Sequence, residues 1–415
     1  GWRKRMAARA GKSATRLGVI SRHVCGSASA TTAEVTFERR GSVAWLTLAR
    51  PKALNALTLP MIRALRPALE QSASDASVRC IVMVGEGGKA FCAGGDVRAV
   101  CEAAQAGDAA LPDAFFREEY QLNHALARSP KPQVSVWDGI VMGGGAGLSV
   151  HGRFRVATER TLFAMPETGI GFFPDVGGSH FLQAAGVGRA LGTYLALTGA
   201  RLHAADLLYS GLATHFVPSA VLRTGEAGAT GEGWRGLEAA LQGCDDEGQI
   251  DAALAALGAG ATPPTAAPLR SALPAIERCF EHGTAEEIVA ALEAEAEGRG
   301  EGGKPADPWA QETLATLRRL SPTAIKVALR LLREAEGRSL AHCLRAEFRA
   351  AQRFVQHGAG PQGQARPDFF EGIRAALVDK DKAPRWSPAA LEQVSDAAVD
   401  EYFAPLGERE LELPL

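Results

Sequence analysis

Residues 137–178, WDGIVMGGGAGLSVHGRFRVATERTLFAMPETGIGFFPDVGG, contain the features that decide the fold. The apolar run over 134–141 predicts a buried strand that ends at the glycine cluster 143–145. A short helix is expected over 146–150, and a second strand is expected over 154–158. This alternation of strand, glycine turn and helix predicts an α/β fold.

The glycine cluster Gly143, Gly144 and Gly145 is open to two interpretations. Glycine lets a carbonyl oxygen approach the backbone without a Cβ in the way, and a helix start has unpaired N–H groups with partial positive charge. Such a turn can bind a developing oxyanion. The other interpretation is a close packing contact between a strand and a helix.

A second glycine-rich turn lies in residues 80–96, CIVMVGEGGKAFCAGGD. Its first residues, 80–84, predict another buried strand, and Asp96 is a suitable N-cap for a helix that follows. Two strand–glycine–helix units therefore occur in the chain. Each can direct one backbone N–H group at the same oxygen atom, which favours the oxyanion interpretation.

These residues carry a resemblance to a known family. The segments FCAGGD (91–96) and MGGGAG (142–147) resemble the crotonase (enoyl-CoA hydratase/isomerase) superfamily. The resemblance implies an α/β crotonase-like spiral of ββα turns followed by a C-terminal helical region. It also implies that the N–H groups of Gly95 and Gly144 form an oxyanion hole that polarises the thioester carbonyl of an acyl-CoA.

Two further segments narrow the resemblance to one branch. MPETGIGFFPDVGG (165–178) and DFFEGIRAALVDKDKAPRW (368–386) resemble the 3-hydroxyisobutyryl-CoA hydrolases, and the similarity extends over residues 35–406. The implied reaction is hydrolysis of a short acyl-CoA thioester to 3-hydroxyisobutyrate and CoA in valine catabolism. An acyl-CoA is then the expected partner, and no separate cofactor is required because coenzyme A is part of the substrate.

Glu167 and Asp175 are the candidate catalytic carboxylates. Glu167 lies between Pro and Thr in an apolar segment, where partial burial would raise its pKa into the range useful for a base or a nucleophile. It can also be an N-cap or a surface acid. Asp175 can cap a helix that begins near Gly177, a role compatible with substrate contact.

Gly147 marks a departure from the hydratases of the superfamily. Those enzymes carry two glutamates, and Gly147 stands at the position of the first while Glu167 stands at the second. The missing acid disfavours hydration and favours thioester hydrolysis by Glu167. Asp175 would hold the 3-hydroxyl of the substrate or assist proton transfer. Whether Glu167 attacks the carbonyl itself or activates water stays open.

Two more residues are candidates for substrate contact. The resemblance assigns Glu119 to the substrate, whereas the helical pattern alone predicts a surface glutamate. Lys52, in the loop 50–57, is a candidate for CoA binding or a solvated lysine. No metal is predicted, because the chain has no His/Cys cluster with metal-ligand spacing. Cys92, beside the first glycine turn, is interpreted as a small core residue.

Length and composition predict how the 415 residues are organised. No run of 18 or more apolar residues occurs, so no membrane span is expected, and seven scattered cysteines without CxxC spacing are typical of a reducing compartment. The helices near the end are expected to form core or homo-oligomer contacts. The expected units are a basic leader over 1–33, a core with the active site over 34–220, a Gly-rich insert and linker over 221–273, and a helical region over 274–415.

The leader has seven Lys and Arg residues and no acid before Glu34, which is the composition of a mitochondrial presequence and predicts the matrix. Without those bases the formal charge is −9, which disfavours a nucleic-acid-binding surface on the body. A second hypothesis is a hydrolase-like structural protein of the small subunit of the mitochondrial ribosome. Such a protein would contact rRNA or ribosomal proteins through the basic leader.

Overall fold

The protein folds around two sheets that lie side by side and are joined by repeated crossings of the chain. The computed structural model describes residues 30–32, 34–184, 188–224, 233–264, 266–299, 306–356 and 367–413. In these ranges the strands are β1 (Ala30–Thr32), β2 (Val35–Arg40), β3 (Val43–Leu48), β4 (Cys80–Gly85), β5 (Ala90–Cys92), β6 (Gln133–Trp137), β7 (Ile140–Met142), β8 (Phe154–Ala157), β9 (Leu162–Ala164) and β10 (His215–Phe216).

Helices cover both faces of the sheets and make up the C-terminal part of the chain. They are α1 (Leu59–Ser74), α2 (Val97–Gln105), α3 (Ala110–Ala127), α4 (Gly144–Gly147), α5 (Gly178–Ala184), α6 (Arg189–Thr198), α7 (Ala204–Tyr209), α8 (Ser219–Thr224), α9 (Arg235–Leu241), α10 (Glu247–Leu257), α11 (Pro268–Phe280), α12 (Ala285–Ala296), α13 (Pro308–Leu317), α14 (Pro322–Glu334), α15 (Leu340–Phe354), α16 (Asp368–Ile373) and α17 (Asp396–Phe403). Short 3-10 turns lie at Pro51–Ala53 and Glu167–Ile170.

The strand order confirms the spiral expected from the resemblance. One sheet has the order β1-β2-β3-β4-β6-β8-β10, and the other has the order β5-β7-β9. Consecutive pairs β4 and β5, β6 and β7, and β8 and β9 each contribute one strand to each sheet. Strands β4 and β6 are buried along their whole length, as expected for parallel strands covered on both faces.

The predicted single strand over 134–141 is wrong, because the structure has two strands there. β6 belongs to the large sheet and β7 to the small one. The chain bends between them at Asp138 and Gly139, where Gly139 has a φ of +113° and a Cβ would lie 2.4 Å from Lys89 O. Glycine is required for that bend. The helix after the glycine cluster, α4, also begins earlier than expected, at Gly144 rather than Ala146.

The range expected to be an insert and linker, 221–273, contains folded helices. α9 and α10 cover the outer face of the large sheet, where Leu237, Leu241, Ile250 and Leu254 pack in one apolar cluster with residues of β3, β4 and β6. The glycine content of the range concealed this helical pattern. Residues 225–232, the most glycine-rich part of the predicted insert, lie outside the described residues.

The C-terminal helices share their core with the N-terminal half. Phe172 and Phe173 belong to the same apolar cluster as Phe354 and Phe369. The predicted boundary at 274 falls inside α11, which begins at Pro268. The structure thus joins residues far apart in sequence on the side of the sheets where the predicted site lies.

The predicted leader, 1–33, is described only at its end. Residues 30–32 form β1 and pair antiparallel with β2, with Thr31 opposite Thr36, while residues 1–29 and 33 lie outside the described residues. The leader's expected targeting and ribosome-binding roles therefore stay predictions. Within the described ranges, none of the helices combines the length and apolar character needed to cross a bilayer.

Candidate active site

A cavity of about 240 Å³ lies where the two glycine turns meet. Five of the residues singled out from the sequence line it: Gly95, Gly144, Glu119, Glu167 and Asp175. The remaining wall is largely apolar and includes Val97, Phe115, Phe116, Met142, Ile170 and Phe172. A small apolar cavity with a few convergent polar groups is the usual form of a ligand site.

The two glycine turns lie next to each other at the cavity. A methyl group on Gly144 would lie 3.3 Å from Gly95 N and 2.4 Å from Glu119 Oε1. On either side of Gly95, Leu57 N donates to Gly94 O and Asp96 N donates to Leu57 O. The N–H group of Gly95 takes no part in these two hydrogen bonds. Gly144 is the first residue of α4, so its N–H has no intrahelical acceptor.

Three carboxyl groups are buried at this cavity. Burial raises the pKa of Glu119 and of Glu167 well above the ordinary value, and the neighbouring charge of Asp175 raises each further. Burial also raises the pKa of Asp175 to about 7, against the effect of a hydrogen bond from Tyr120. Buried carboxyl groups with raised pKa values, clustered at one cavity, are typical of sites of acid–base or nucleophilic chemistry.

Two of these carboxyl groups have an oxygen atom that no hydrogen bond satisfies among the described residues. They are Oε1 of Glu119 and Oε2 of Glu167. The other oxygen of Glu167 would lie 2.8 Å from a methyl group on Gly143, so the carboxyl group lies directly beside the second glycine turn. Since buried polar atoms are normally hydrogen-bonded, these two atoms indicate a place for a ligand.

Tyr120 is a site residue that the sequence analysis missed. Its hydroxyl donates to Asp175 Oδ2 at 2.8 Å, and both side chains are buried. The sequence placed Tyr120 among the apolar residues of α3, where an aromatic ring at that position is usually core. Its position directly after Glu119 in the sequence is the feature that could have indicated a role at the site.

The expected capping role of Asp175 is wrong, because another carboxylate caps α5. Glu347 accepts hydrogen bonds from Gly177 N at 2.7 Å and from Ser179 N at 3.0 Å. Glu347 lies in α15, on the buried face it shares with Cys343 and Ala351. Glu347 is four residues from both Cys343 and Ala351, so it falls on an apolar face of the helix and is expected to be buried. The sequence analysis did not use this pattern.

The packing around Gly147 explains why the hydratase glutamate is absent there. A Cβ at this position would lie 2.6 Å from Val176 Cβ and 2.9 Å from Asn123 Nδ2. Both neighbours are fully buried, and the amide of Asn123 has no hydrogen-bond partner among the described residues. A glutamate cannot occupy position 147 in this arrangement.

The remaining candidates lie away from the cavity or belong to the core. Glu118, the neighbour of Glu119 in α3, forms an ion pair with Arg63 at 2.7 Å on the surface, so the two adjacent glutamates face different sides of the helix. Burial raises the pKa of the Cys92 thiol to about 12, so the interpretation of Cys92 as a core residue is confirmed. Lys52 is exposed in the 3-10 turn Pro51–Ala53 and does not line the cavity, so its role in CoA binding stays a prediction.

No cluster of three or more His, Cys, Asp or Glu side chains arranged to hold a metal ion is found in the described part of the chain. The expectation that the reaction needs neither metal nor separate cofactor is not tested by this observation. The expected homo-oligomer is likewise still a prediction.

Comparison with known proteins identifies the family of this chain. The sequence profile described as "Enoyl-CoA hydratase/isomerase" matches residues 43–403. The chain is 42% identical over 402 residues to "3-hydroxyisobutyryl-CoA hydrolase, mitochondrial" of Rattus norvegicus, covering 95% of each chain. It is 41% identical over 381 residues to the human protein of the same name, covering 91% of this chain and 90% of the human one.

Two solved structures are similar along most of the chain. A carnitinyl-CoA dehydratase from Mycobacterium thermoresistibile has a TM-score of 0.77 and 38% identity, covering 92% of this chain and 99% of its own. An enoyl-CoA hydratase from Rhodobacter sphaeroides has a TM-score of 0.75 and 37% identity, covering 92% of this chain and 100% of its own. The fold, the paired glycine turns and the profile match agree, and the chain belongs to the enoyl-CoA hydratase/isomerase family.

Proposed function

We propose that the protein hydrolyses 3-hydroxyisobutyryl-CoA to 3-hydroxyisobutyrate and CoA in the mitochondrial matrix. The names of the Rattus norvegicus and human relatives support the substrate and the compartment. The observation that carries the proposal is the position of Glu167, whose buried carboxyl group lies beside the second glycine turn and has one oxygen atom without a hydrogen-bond partner among the described residues.

The packing around Gly147 favours hydrolysis over hydration. The two similar solved structures are named as a dehydratase and a hydratase. In the superfamily that chemistry uses a second glutamate at the position of Gly147, and here Val176 and Asn123 fill that space. Of the two positions where hydration needs a glutamate, 147 and 167, only 167 therefore has one.

The oxyanion hole would act on the thioester carbonyl. The carbonyl oxygen binds between the N–H groups of Gly95 and Gly144, which stabilise the negative charge that develops as the carbonyl carbon becomes tetrahedral. One donor of this kind is worth about 3–4 kcal/mol of the barrier. Burial, with the charges of Asp175 and Glu167, raises the pKa of Glu119 and so favours the neutral form of that side chain beside the oxyanion.

The carboxylate of Glu167 then either adds to the carbonyl carbon or takes a proton from an attacking water. In the first case the C–S bond breaks, CoA leaves as the thiol after protonation, and water hydrolyses the mixed anhydride. In the second case water adds directly and the same C–S bond breaks. Asp175, held by Tyr120, accepts a hydrogen bond from the 3-hydroxyl of the substrate.

Thiol release from 3-hydroxyisobutyryl-CoA by the purified protein tests the proposal. Glu167→Gln keeps the size of the side chain and removes the carboxylate, so kcat should fall on the order of 10³-fold or more. Glu118→Gln is the matched control, because Glu118 is on the surface, and its kcat should stay within about twofold of the wild type. Hydration of crotonyl-CoA without thiol release would contradict the proposal.

Rapid acid quenching distinguishes the two roles of Glu167. A nucleophilic Glu167 carries the acyl group during turnover, so the peptide with residue 167 should show that added mass. A general base gives no adduct at any quench time, provided that thiol release is complete in the same samples.

The ribosomal hypothesis has no supporting observation among the described residues. The relatives from Rattus norvegicus, human, Mycobacterium thermoresistibile and Rhodobacter sphaeroides are named as hydrolases or as hydratase-type enzymes. The hypothesis predicts that the protein sediments with the small subunit of the mitochondrial ribosome. A variant without residues 1–29 should lose that association if the basic leader causes it.

A further inference from the structure

Glu347 joins the C-terminal helices to the segment that carries Asp175. The side chain is fully buried and accepts three hydrogen bonds, from Gly177 N at 2.7 Å, Ser179 N at 3.0 Å and Ser179 Oγ at 2.6 Å. All three donors lie at the start of α5, within four residues of Asp175 in sequence. Glu347 comes from α15, some 170 residues later in the chain.

Glu347 takes the capping position that would otherwise suit Asp175. A helix start has N–H groups without intrahelical acceptors, and Asp is among the residues that usually satisfy them. Here the carboxyl group of Asp175 instead accepts the Tyr120 hydroxyl and lines the cavity. A cap supplied by a distant helix therefore leaves Asp175 available to a ligand.

The link between the cap and Asp175 is a single residue in an unfavourable conformation. Val176 has a φ of +54°, a conformation that is unfavourable for a β-branched residue. Its carbonyl oxygen is held by His151 Nε2 at 2.8 Å, and the next residue, Gly177, is held by Glu347. The hydrogen bonds to Val176 O and from Gly177 N thus maintain the backbone conformation that directs Asp175 into the cavity.

The hydrogen bonds of Glu347 also oppose the cost of burying its charge. Burial, with a smaller contribution from the charge of Asp175, raises the pKa of Glu347 to about 8, whereas the bonds from Ser179 and Gly177 act in the opposite direction and favour the ionised form. Three donors converging on one buried carboxyl group indicate a specific structural task.

We propose that Glu347 is a positioning residue that holds Asp175 for the 3-hydroxyl group of the acyl chain, and so sets the preference for 3-hydroxyacyl thioesters over unsubstituted ones. The inference rests on the proposed function, because it assumes that Asp175 binds that hydroxyl. Glu347 itself touches no substrate. Its effect reaches the cavity through Gly177 and Val176.

The test compares two substrates that differ by one hydroxyl group, 3-hydroxyisobutyryl-CoA and isobutyryl-CoA. In Glu347→Gln the amide keeps the volume of the side chain but has one acceptor oxygen in place of two. The ratio of the two kcat/KM values should fall about tenfold, as one misplaced hydrogen bond predicts. Asp175→Asn should lower the same ratio, and adding Glu347→Gln to it should have little further effect, since the two act as a unit.

Asp206→Asn is the matched control. Asp206 is another buried carboxylate whose Oδ1 caps the start of a distant helix, accepting from Leu269 N at 3.1 Å, and it does not line the cavity. Its substitution should lower the melting temperature about as much as Glu347→Gln does. The substrate ratio should stay at the wild-type value.

The outcomes separate this inference from the proposed function. Equal losses on both substrates in Glu347→Gln overturn the positioning role and leave the hydrolase proposal intact, whereas a wild type inactive on every CoA thioester overturns the proposed function. If Glu347→Gln does not fold, Ser179→Ala decides, because it removes only the 2.6 Å hydroxyl bond. A twofold to threefold fall in the ratio is then expected, and an unchanged ratio contradicts the inference.

Discussion

The two walls of the cavity are built in different ways. The wall with Gly95 and Gly144, here called the amide wall, is held by residues close to it in sequence. The wall formed by residues 167–178, here called the carboxylate wall, is held by helices from the C-terminal half. The difference predicts which substitutions affect chemistry alone and which affect chemistry through the fold.

The amide wall depends on local contacts. Its two glycine turns follow β5 and β7, which pair in the small sheet. Leu54 O accepts from Ala93 N at 3.0 Å, and Leu57 N donates to Gly94 O at 2.8 Å. Because these partners lie within about forty residues of the turn they hold, short sequence motifs suffice to describe this wall.

The carboxylate wall depends on contacts that cross most of the chain. Ser321 N donates to Thr168 O at 3.2 Å, and Ser321 Oγ donates to Asp368 Oδ2 at 2.5 Å. The ring of Phe172 lies 5.5 Å from that of Phe354 and 5.7 Å from that of Phe369. Glu167 and Asp175 therefore reach their positions only when the C-terminal helices are packed.

Within the amide wall, the largest effect on chemistry alone is expected from Gly144→Ala. The new methyl group would lie 2.4 Å from Glu119 Oε1 and 3.3 Å from Gly95 N, in the space required by the oxyanion. We expect kcat/KM for thiol release to fall about 10²–10³-fold, with circular dichroism unchanged. Gly248→Ala, at the second position of α10 and far from the cavity, is the control. Full activity in Gly144→Ala would show that the amide wall does not bind the carbonyl.

Gly372→Ala should break the carboxylate wall through the fold. A Cβ there would lie 2.2 Å from the backbone carbonyl of Ile170, so α16 and the turn Glu167–Ile170 must separate. The free energy of unfolding should fall by about 3 kcal/mol or more, and kcat about 10–100-fold because Glu167 moves. Urea denaturation and thiol release measure the two losses. A loss of activity without a loss of stability would contradict the contrast between the walls.

Asp175→Asn should shift the pH dependence of hydrolysis. The charge of Asp175 raises the pKa of Glu167, so removing that charge lets Glu167 ionise at lower pH. We expect the rising limb of log(kcat/KM) against pH, measured with isobutyryl-CoA, to move to lower pH. A limb that stays at its wild-type position would show that Glu167 does not titrate in this range.

Ser321→Ala tests the long-range clamp with a smaller change. It removes the donor to Asp368 and the N-cap of α14, whose Ala324 N lies 3.0 Å from Ser321 Oγ. The free energy of unfolding should fall by about 1–2 kcal/mol, and kcat by no more than about threefold. Ser395→Ala, which removes the equivalent cap of α17, is the control for stability alone.

The smallest effect concerns stability and pH. The pKa of Asp175 rises from about 4 in the unfolded chain to about 7 in the folded one. Between these values the folded state binds more protons than the unfolded state, so the free energy of unfolding falls as pH rises. Asp175→Asn removes this penalty and should melt about 3–5 °C above the wild type at pH 8, with no gain at pH 4. A gain at pH 4 equal to that at pH 8 would point to another cause.

Much of the fold and the amide wall was predictable because the signals are local. The cap at Asp96 and the glycines of the two turns are recognised from residues within a few positions of one another, and the strands before the turns are short apolar runs. The hydrophobic pattern did not predict α9 and α10, which lie in a glycine-rich range. It also predicted one strand where a single apolar run forms two strands in different sheets, β6 and β7.

Short motifs in the sequence are enough to identify the family, the two glycine turns, Glu167 and Asp175, and the family resemblance adds Glu119. The contact of Tyr120 with Asp175, the cap that Glu347 supplies to α5, and the lack of room for a second acid at position 147 are visible only in the folded protein. The physical reason is distance along the chain. Hydrogen bonds and steric contacts between residues far apart in sequence are specified by packing, and no local spacing encodes them.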